Sequence, residues 1–135
     1  MSASSEKSRI IKQWIEYAEE DLHLARHGLK IKSSCPYKLI AFHAQQCAEK
    51  YLKAFLVLKK VDFPYTHNIA LLLELCSTHA EWAKEMQGAA ALTQYAVTAR
   101  YPGKGMVDRK EAVQAVETAI YVRKTLKKAL EQGMS

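Results

Sequence analysis

Apolar residues recur every three or four positions near the start of the chain. This spacing places them on one face of an α-helix, and we predict a helix from Ser5 to about Ile31. Residues 1–5 are expected to form a flexible N-terminus. The predicted helix ends before Pro36, which suits the first turn of the next helix. The apolar stripe consists of Ile10, Trp14, Tyr17, Ala18, Leu22, Ala25 and Leu29.

The second predicted helix runs from about Pro36 to Lys60 and is apolar around most of its circumference. A helix of this kind is expected at the centre of a domain, in contact with neighbours on more than one side. Pro64 disfavours helical geometry at Phe63, so a loop follows the helix. The apolar positions are Leu39, Ile40, Phe42, Ala44, Cys47, Ala48, Leu52, Phe55, Leu56 and Leu58.

Two further helices are predicted between this loop and Pro102. Thr66 is the expected N-cap of a short third helix from His67 to about Ser77. The sequence Thr78-His79-Ala80-Glu81 has the form of a capping box, which predicts the start of a fourth helix. That helix should end near Arg100, because Pro102 and the glycine after it do not continue a helix.

The last predicted helix begins after Asp108, which is followed by Glu111 in a second capping pattern. Five helices with short connections predict an all-α fold, an up-and-down antiparallel bundle of four to five helices. The length of 135 residues fits a single domain, which we place at residues 1–135. The second and fifth helices are apolar enough to predict a symmetric homodimer that buries apolar helix faces.

The composition is that of a folded protein with a basic surface. Hydrophobic residues make up 49% of the chain and charged residues 25%, so disorder is not expected. The net charge of +6 is compatible with an anionic partner, although a merely solvated basic surface would have the same charge. No apolar stretch is long enough to cross a membrane, and residues 1–8 lack a secretory signal, so a cytoplasmic location is expected.

No metal or other cofactor is predicted. Cys35, Cys47 and Cys76 are widely separated and include no C-x-x-C pair, so free thiols are expected instead of a zinc site or disulfides. His23 and His27 are four residues apart on a helix, but no H-E-x-x-H pattern includes them.

A polar strip interrupts the apolar second helix. Gln46, Glu49, Lys50 and Lys53 are spaced by three and four residues and therefore share one helical face. Charged groups at a buried position require partners, since an isolated charge in the interior is strongly destabilising. The candidate partners are Asp21 on the first helix, His67 in the loop, and Arg100 at the end of the fourth helix.

Two interpretations of this strip remain open. In the first, the strip lines a ligand-binding cleft in which Lys50, Lys53 and Arg100 bind phosphate while Tyr95 or Tyr101 stacks on a base. In the second, the charges form an internal network that fixes the register of the helices. Asp21 and Glu49 fit this second interpretation better, because buried carboxylates are usually paired.

His67 has two comparable interpretations. A histidine in a loop can act as an acid, a base or a ligand near neutral pH. It can also hydrogen-bond to a backbone group and fix the loop, and we favour this structural role for His67.

Several motifs together resemble those of the HEPN family, named for nucleotide-binding domains of higher eukaryotes and prokaryotes. The resemblance implies a helical bundle that is commonly a homodimer. It also implies a partnership with a minimal nucleotidyltransferase, in a two-component module of the toxin–antitoxin kind. The motifs are Trp14-x3-Ala18-x2-Asp21-Leu22-x2-Ala25, the segment from Ala41 to Leu56 with Gln45-Gln46-Cys47-Ala48-Glu49-Lys50, the segment Phe63-Pro64-Tyr65-Thr66-His67-Asn68-Ile69, and Ala99-Arg100-Tyr101-Pro102-Gly103.

Many members of the HEPN family are metal-independent endoribonucleases with an Arg-x4-6-His motif. None of the five arginines of this chain has a histidine five to seven positions downstream. The resemblance therefore favours a module that binds nucleotide or nucleic acid without cleaving it. One alternative is a ribonuclease that combines Arg100 with a histidine placed by the fold, such as His67. Another is a non-catalytic interaction domain whose basic face binds an acidic protein.

Overall fold

The computed structural model of the protein describes residues 3–103 and 105–134. These residues form six α-helices and one 3₁₀ helix but no strand, which confirms the predicted all-α bundle. No helix among them is long and apolar enough to cross a membrane. The α-helices are α1 (Ala3–Gly28), α2 (Tyr37–Leu58), α3 (Ile69–Ser77), α4 (Trp82–Glu85), α5 (Thr93–Thr98) and α6 (Arg109–Met134), and the 3₁₀ helix is Gln87–Leu92.

Helix α2 lies at the centre of the bundle, as its apolar circumference predicts. It packs most extensively against α1 and α6, and it also contacts α3 and α5. Gly28 allows α1 to approach α2 closely, because a Cβ atom at this position would lie 2.8 Å from Cγ1 of Ile40. The most buried large side chains of the core include Ile11, Tyr51, Leu52, Leu56, Ile69, Leu72, Leu73, Met86, Leu126 and Leu130.

The prediction of one continuous fourth helix ending near Arg100 is wrong. Thr78 caps the end of α3, and the segment after it divides into α4, the 3₁₀ helix and α5. The backbone leaves α-helical geometry at Met86, where φ is −101° and ψ is 16°. Two causes act here: Gly88 has a low helix propensity, and the side chain of Met86 is fully buried in the core.

Helix ends differ from the predictions in two further places. Asn68 is the N-cap of α3, since its Oδ1 accepts a hydrogen bond from the backbone N–H of Leu71 at 3.2 Å. The predicted cap, Thr66, instead accepts a bond from the N–H of Asn68. Helix α1 begins at Ala3, within the segment expected to be flexible, and residues 1 and 2 lie outside the described residues.

The predicted cap at the start of the last helix is present. Oδ1 of Asp108 accepts a hydrogen bond from the backbone N–H of Glu111 at 2.8 Å, which satisfies one of the free donors in the first turn.

The three cysteines are free, and two of them are fully buried. Burial raises the pKa of Cys76 to about 12 and raises the pKa of Cys47 as well. Because thiolates are the reactive species, we expect an aromatic disulfide reagent at pH 8 to modify Cys35 in the native protein. Cys47 and Cys76 should react only after unfolding. Rapid modification of all three thiols in the native protein would contradict this expectation.

Candidate functional site

Glu49 is the centre of a buried polar cluster on α2. Its carboxylate accepts hydrogen bonds from Nζ of Lys53 at 3.0 Å and from Nε2 of Gln45 at 2.9 Å, and it pairs with Nδ1 of His67 at 2.8 Å. Gln46 extends the cluster by donating to Oε1 of Gln45 at 2.7 Å. The carboxylate is 3% exposed, so all of its charge is balanced by groups within the protein.

A second cluster lies one turn away, between α1 and α2. The carboxylate of Asp21 pairs with Nζ of Lys50 at 2.5 Å through Oδ2 and with Nδ1 of His43 at 2.8 Å through Oδ1. Asp21 is buried, whereas Lys50 and His43 are half-buried and reach the surface. This cluster therefore places a cation and an imidazole at the protein surface while holding their carboxylate inside.

Three aromatic rings surround the ammonium group of Lys53. Its Nζ lies 5.5 Å from the ring centroid of Trp14, 5.8 Å from that of Phe63 and 5.9 Å from that of Tyr65. Tyr65 is almost fully exposed and also contacts the ring of His67 edge-on, with 5.4 Å between centroids. The loop between α2 and α3 is thus held against the bundle by contacts with a buried cation.

Arg100 lies beyond the end of α5 and is exposed. Its guanidinium carbon is 5.4 Å from the ring centroid of Phe42, and the same ring contacts His43. Within residues 3–103 and 105–134, no carboxylate forms an ion pair with Arg100. The guanidinium group is therefore available to bind an anion from solution.

The two tyrosines predicted to stack on a base have different environments. Tyr95 is buried and its hydroxyl donates to Oε2 of Glu111 at 3.3 Å. Burial and the nearby Glu111 carboxylate raise the pKa of Tyr95. Tyr101 is exposed on the surface next to Arg100. Only Tyr101 can therefore contact a ligand without a rearrangement of the bundle.

The residues predicted for the ligand-binding cleft fall into an inner and an outer set. Gln46, Lys53 and Tyr95 are buried and bonded within the protein. Lys50, His67, Arg100 and Tyr101 reach the surface. Of the residues predicted to bind a ligand, only the outer set can therefore contact one from solution without a rearrangement of the bundle.

His43, which the sequence patterns do not single out, also belongs to the outer set. A signal was present, because His43 lies three residues before Gln46 and seven before Lys50, on the same face of α2. We name the half-buried and exposed polar residues His43, Lys50, His67 and Arg100 the surface strip. No group of three or more potential metal ligands of the His, Cys, Asp or Glu type occurs in the part of the chain that the structure describes.

Comparison with known families identifies the family of this chain. The family model described as the HEPN domain matches residues 11–129. The chain belongs to the HEPN family. The match includes both carboxylate-centred clusters and all of the surface strip.

Two solved structures share the fold of this HEPN domain. An archaeal HEPN homologue, ST0689, is 24% identical with a TM-score of 0.69, and the alignment covers 89% of this chain and 97% of the other. The protein TT1696 from Thermus thermophilus is 26% identical with a TM-score of 0.70, and the alignment covers 87% of this chain and 96% of the other. The curated proteins include no significant match.

Proposed function

We propose that this HEPN domain is a cytoplasmic binding module for nucleotide or single-stranded nucleic acid, and that the surface strip is its binding site. The proposal rests above all on Arg100, an exposed guanidinium group without a carboxylate partner among the described residues. A planar guanidinium group binds phosphate through two parallel hydrogen bonds, which makes it a suitable anchor for a nucleotide.

The neighbours of Arg100 support the same function. Lys50 and His43 reach the surface on the adjacent α2 helix, where they offer hydrogen-bond donors to a phosphate backbone while the buried Asp21 carboxylate orients both. Tyr101, which follows Arg100 in sequence, and Tyr65, which contacts the ring of His67, are exposed aromatic side chains. Bases stack on such rings regardless of sequence, so the strip suits single-stranded substrates better than a duplex.

Replacing Arg100 by alanine should weaken binding of a fluorescein-labelled single-stranded oligoribonucleotide by about tenfold, because a charge-assisted hydrogen bond is lost. The dependence of log K on log salt should also become shallower by about 0.7, the contribution of one phosphate contact to a single strand. Fluorescence anisotropy over a salt series measures both quantities.

Arg109→Ala is the matched control, since Arg109 is also exposed but lies at the start of α6, outside the strip. It should leave both the affinity and the salt slope nearly unchanged. Equal losses in the two variants would indicate nonspecific attraction to a basic protein and would refute the proposed site.

A second candidate function, endoribonuclease activity, is supported by the paired histidines. His43 and His67 each bond a buried carboxylate through Nδ1, and both side chains are partly exposed. A carboxylate on Nδ1 orients an imidazole so that Nε2 can exchange a proton with a substrate. The chain lacks the family's Arg-x4-6-His motif, so such an enzyme would depend on these two carboxylate–histidine pairs instead.

Membership of the HEPN family supports two partnerships. We propose that the chain forms a homodimer and that it binds a minimal nucleotidyltransferase in a two-component, toxin–antitoxin-like system. The identity of the neighbouring gene is the first test of the second partnership. Co-expression of the two proteins, followed by size-exclusion chromatography, should then give a joint peak. A third possibility, a non-catalytic interaction domain, would instead predict binding to an acidic protein and none to RNA.

A further inference from the structure

The aromatic ring of Tyr17 on α1 lies beside the surface strip. Nζ of Lys50 is 5.9 Å from the centroid of this ring, so the ammonium group and the ring are in contact. Tyr17 is 51% exposed, and its ring therefore remains accessible from solution. A ligand that binds Lys50 from solution consequently meets an exposed aromatic ring next to the cation.

A series of contacts connects this ring to Arg100. Lys50, which contacts the ring, and His43 both bond the carboxylate of Asp21. The imidazole ring of His43 contacts the ring of Phe42, with 5.3 Å between centroids. The guanidinium carbon of Arg100 is 5.4 Å from the centroid of the same Phe42 ring. The aromatic ring on α1 and the guanidinium group after α5 thus belong to one contiguous set of side chains.

The charges around Tyr17 differ between the two helices. The four residues on either side of it in α1 include no cation but four carboxylates, of which Glu16 and Glu20 are exposed. On the side of α2 lie the ammonium group of Lys50 and, beyond it, the guanidinium group of Arg100. A phosphate group is therefore repelled on the α1 side of the ring and attracted on the α2 side, whereas an uncharged base can lie over the ring itself.

We infer that Tyr17 is the base-stacking residue of the site, which binds the base of a nucleotide whose phosphate group binds Lys50. This inference rests on the proposed function and extends the site from α2 onto α1. The sugar of a nucleotide separates its base from its phosphate, as the ring and the ammonium group are separated here. Arg100 is then available for the phosphate of a neighbouring nucleotide. The stacked base must be unpaired, since bases within a duplex are already stacked on one another.

Support of Lys50 is the alternative role for the Tyr17 ring. A cation over an aromatic ring is held in position even when no base is bound. The carboxylate of Asp21 already orients the same ammonium group through a bond of 2.5 Å, so the ring is not needed for this purpose. The two roles also predict different results. Support of Lys50 affects contacts with phosphate, whereas stacking affects contacts with bases.

Replacing Tyr17 by alanine should weaken binding of a fluorescein-labelled single-stranded oligoadenylate of about eight nucleotides by about tenfold, through the loss of one stacked base. The slope of log K against log salt should stay at the wild-type value, because the ring makes no contact with phosphate. Arg100→Ala differs in this respect, since it should lower both the affinity and the slope. Fluorescence anisotropy over a salt series measures both quantities.

Tyr121→Ala is the matched control for this variant. Tyr121 is a tyrosine of similar exposure, 48%, but it lies on α6 in the groove beside the 3₁₀ helix, outside the site. The control should bind oligoadenylate as the wild type does. Tyr17→Trp should retain at least the wild-type affinity, because the larger indole ring also stacks on a base. A tenfold loss in Tyr17→Trp would contradict a stacking role.

An abasic oligonucleotide of the same length separates stacking from support of Lys50. This probe retains the phosphate groups but has no bases, so the wild type should bind it about tenfold more weakly than oligoadenylate. Tyr17→Ala and the wild type should bind the abasic probe equally. If Tyr17→Ala weakens binding of both probes to the same extent, or if its salt slope is shallower by about 0.7, the ring only supports Lys50 and the inference is overturned.

The outcomes also distinguish this inference from the proposed function. A wild type that binds oligoadenylate as tightly as Tyr17→Ala does would overturn the stacking role and leave the surface strip as the binding site. A wild type that binds neither oligoadenylate nor the abasic probe would overturn both proposals. Far-UV circular dichroism confirms that each variant is folded, as expected for substitutions at a half-exposed position of α1.

Discussion

Replacing Glu49 by alanine is expected to lower the free energy of unfolding by about 3–5 kcal/mol, because the ammonium group of Lys53 is then left buried without its counter-ion. The Glu49 carboxylate is 3% exposed and the Lys53 side chain 6% exposed, so water does not replace the lost partner. His67 and Gln45 lose their bonds to the same carboxylate. Urea denaturation followed by far-UV circular dichroism measures the change.

Two variants serve as controls for this prediction. Glu81→Ala removes a carboxylate that is paired with Lys84 in solvent, and the loss should stay below about 1 kcal/mol. Combining Glu49→Ala with Lys53→Met removes both charges, and much of the stability should return because no unpaired ion remains. An unchanged denaturation midpoint for Glu49→Ala alone would show that the cluster contributes little to stability.

If the chain cleaves RNA, replacing either His43 or His67 by glutamine should slow cleavage by about 10²–10⁴-fold, the usual contribution of a general acid or base. In RNA cleavage that forms a 2′,3′-cyclic phosphate, a base accepts the proton of the 2′-hydroxyl group while the 2′ oxygen bonds to phosphorus. The bond from phosphorus to the 5′ oxygen breaks, and an acid protonates that oxygen. Two half-exposed imidazoles, each oriented by a carboxylate, can supply the base and the acid.

The measurement is a time course with 5′-labelled RNA in the presence of a metal chelator. His79→Gln is the matched control, since His79 is exposed and is not bonded to a carboxylate within the described chain. RNA with a 2′-deoxy residue at the cleavage position should remain intact. Cleavage at the wild-type rate by both His43→Gln and His67→Gln would exclude this mechanism. A wild-type protein that binds RNA without cleaving it would favour the binding module.

The long helices could be predicted from the sequence because their apolar positions follow the helical period over many turns. The segment from residue 78 to residue 100 could not, since its short elements are shaped by the surfaces of α2 and α3 on which they pack. Trp82 illustrates this dependence: its ring packs edge-on against Phe55 of α2, with 4.8 Å between centroids. The capping pattern at Thr78 was a local signal, and the tertiary contacts of Met86 and Trp82 outweighed it.

The candidate site was predictable only in part. Spacing alone places Gln46, Glu49, Lys50 and Lys53 on one face of α2, because this depends on helix geometry. Which of these side chains reaches solvent depends on the loop between α2 and α3, because its Tyr65 ring lies against the ammonium group of Lys53. That arrangement depends on contacts between residues that are distant in sequence. Spacing on α2 therefore predicts Lys53 in a ligand-binding cleft, whereas the structure buries it.

The aromatic rings around Lys53 make tryptophan fluorescence sensitive to the position of the loop between α2 and α3. Trp14 and Trp82 are its two tryptophans, and their environments differ. Trp14 shares the Lys53 ammonium group with Phe63 and Tyr65, whereas Trp82 contacts Phe55 on another side of α2. A ligand that displaces Tyr65 therefore changes the surroundings of Trp14 but not those of Trp82. Intrinsic tryptophan fluorescence consequently reports the position of the loop between α2 and α3 without an added dye.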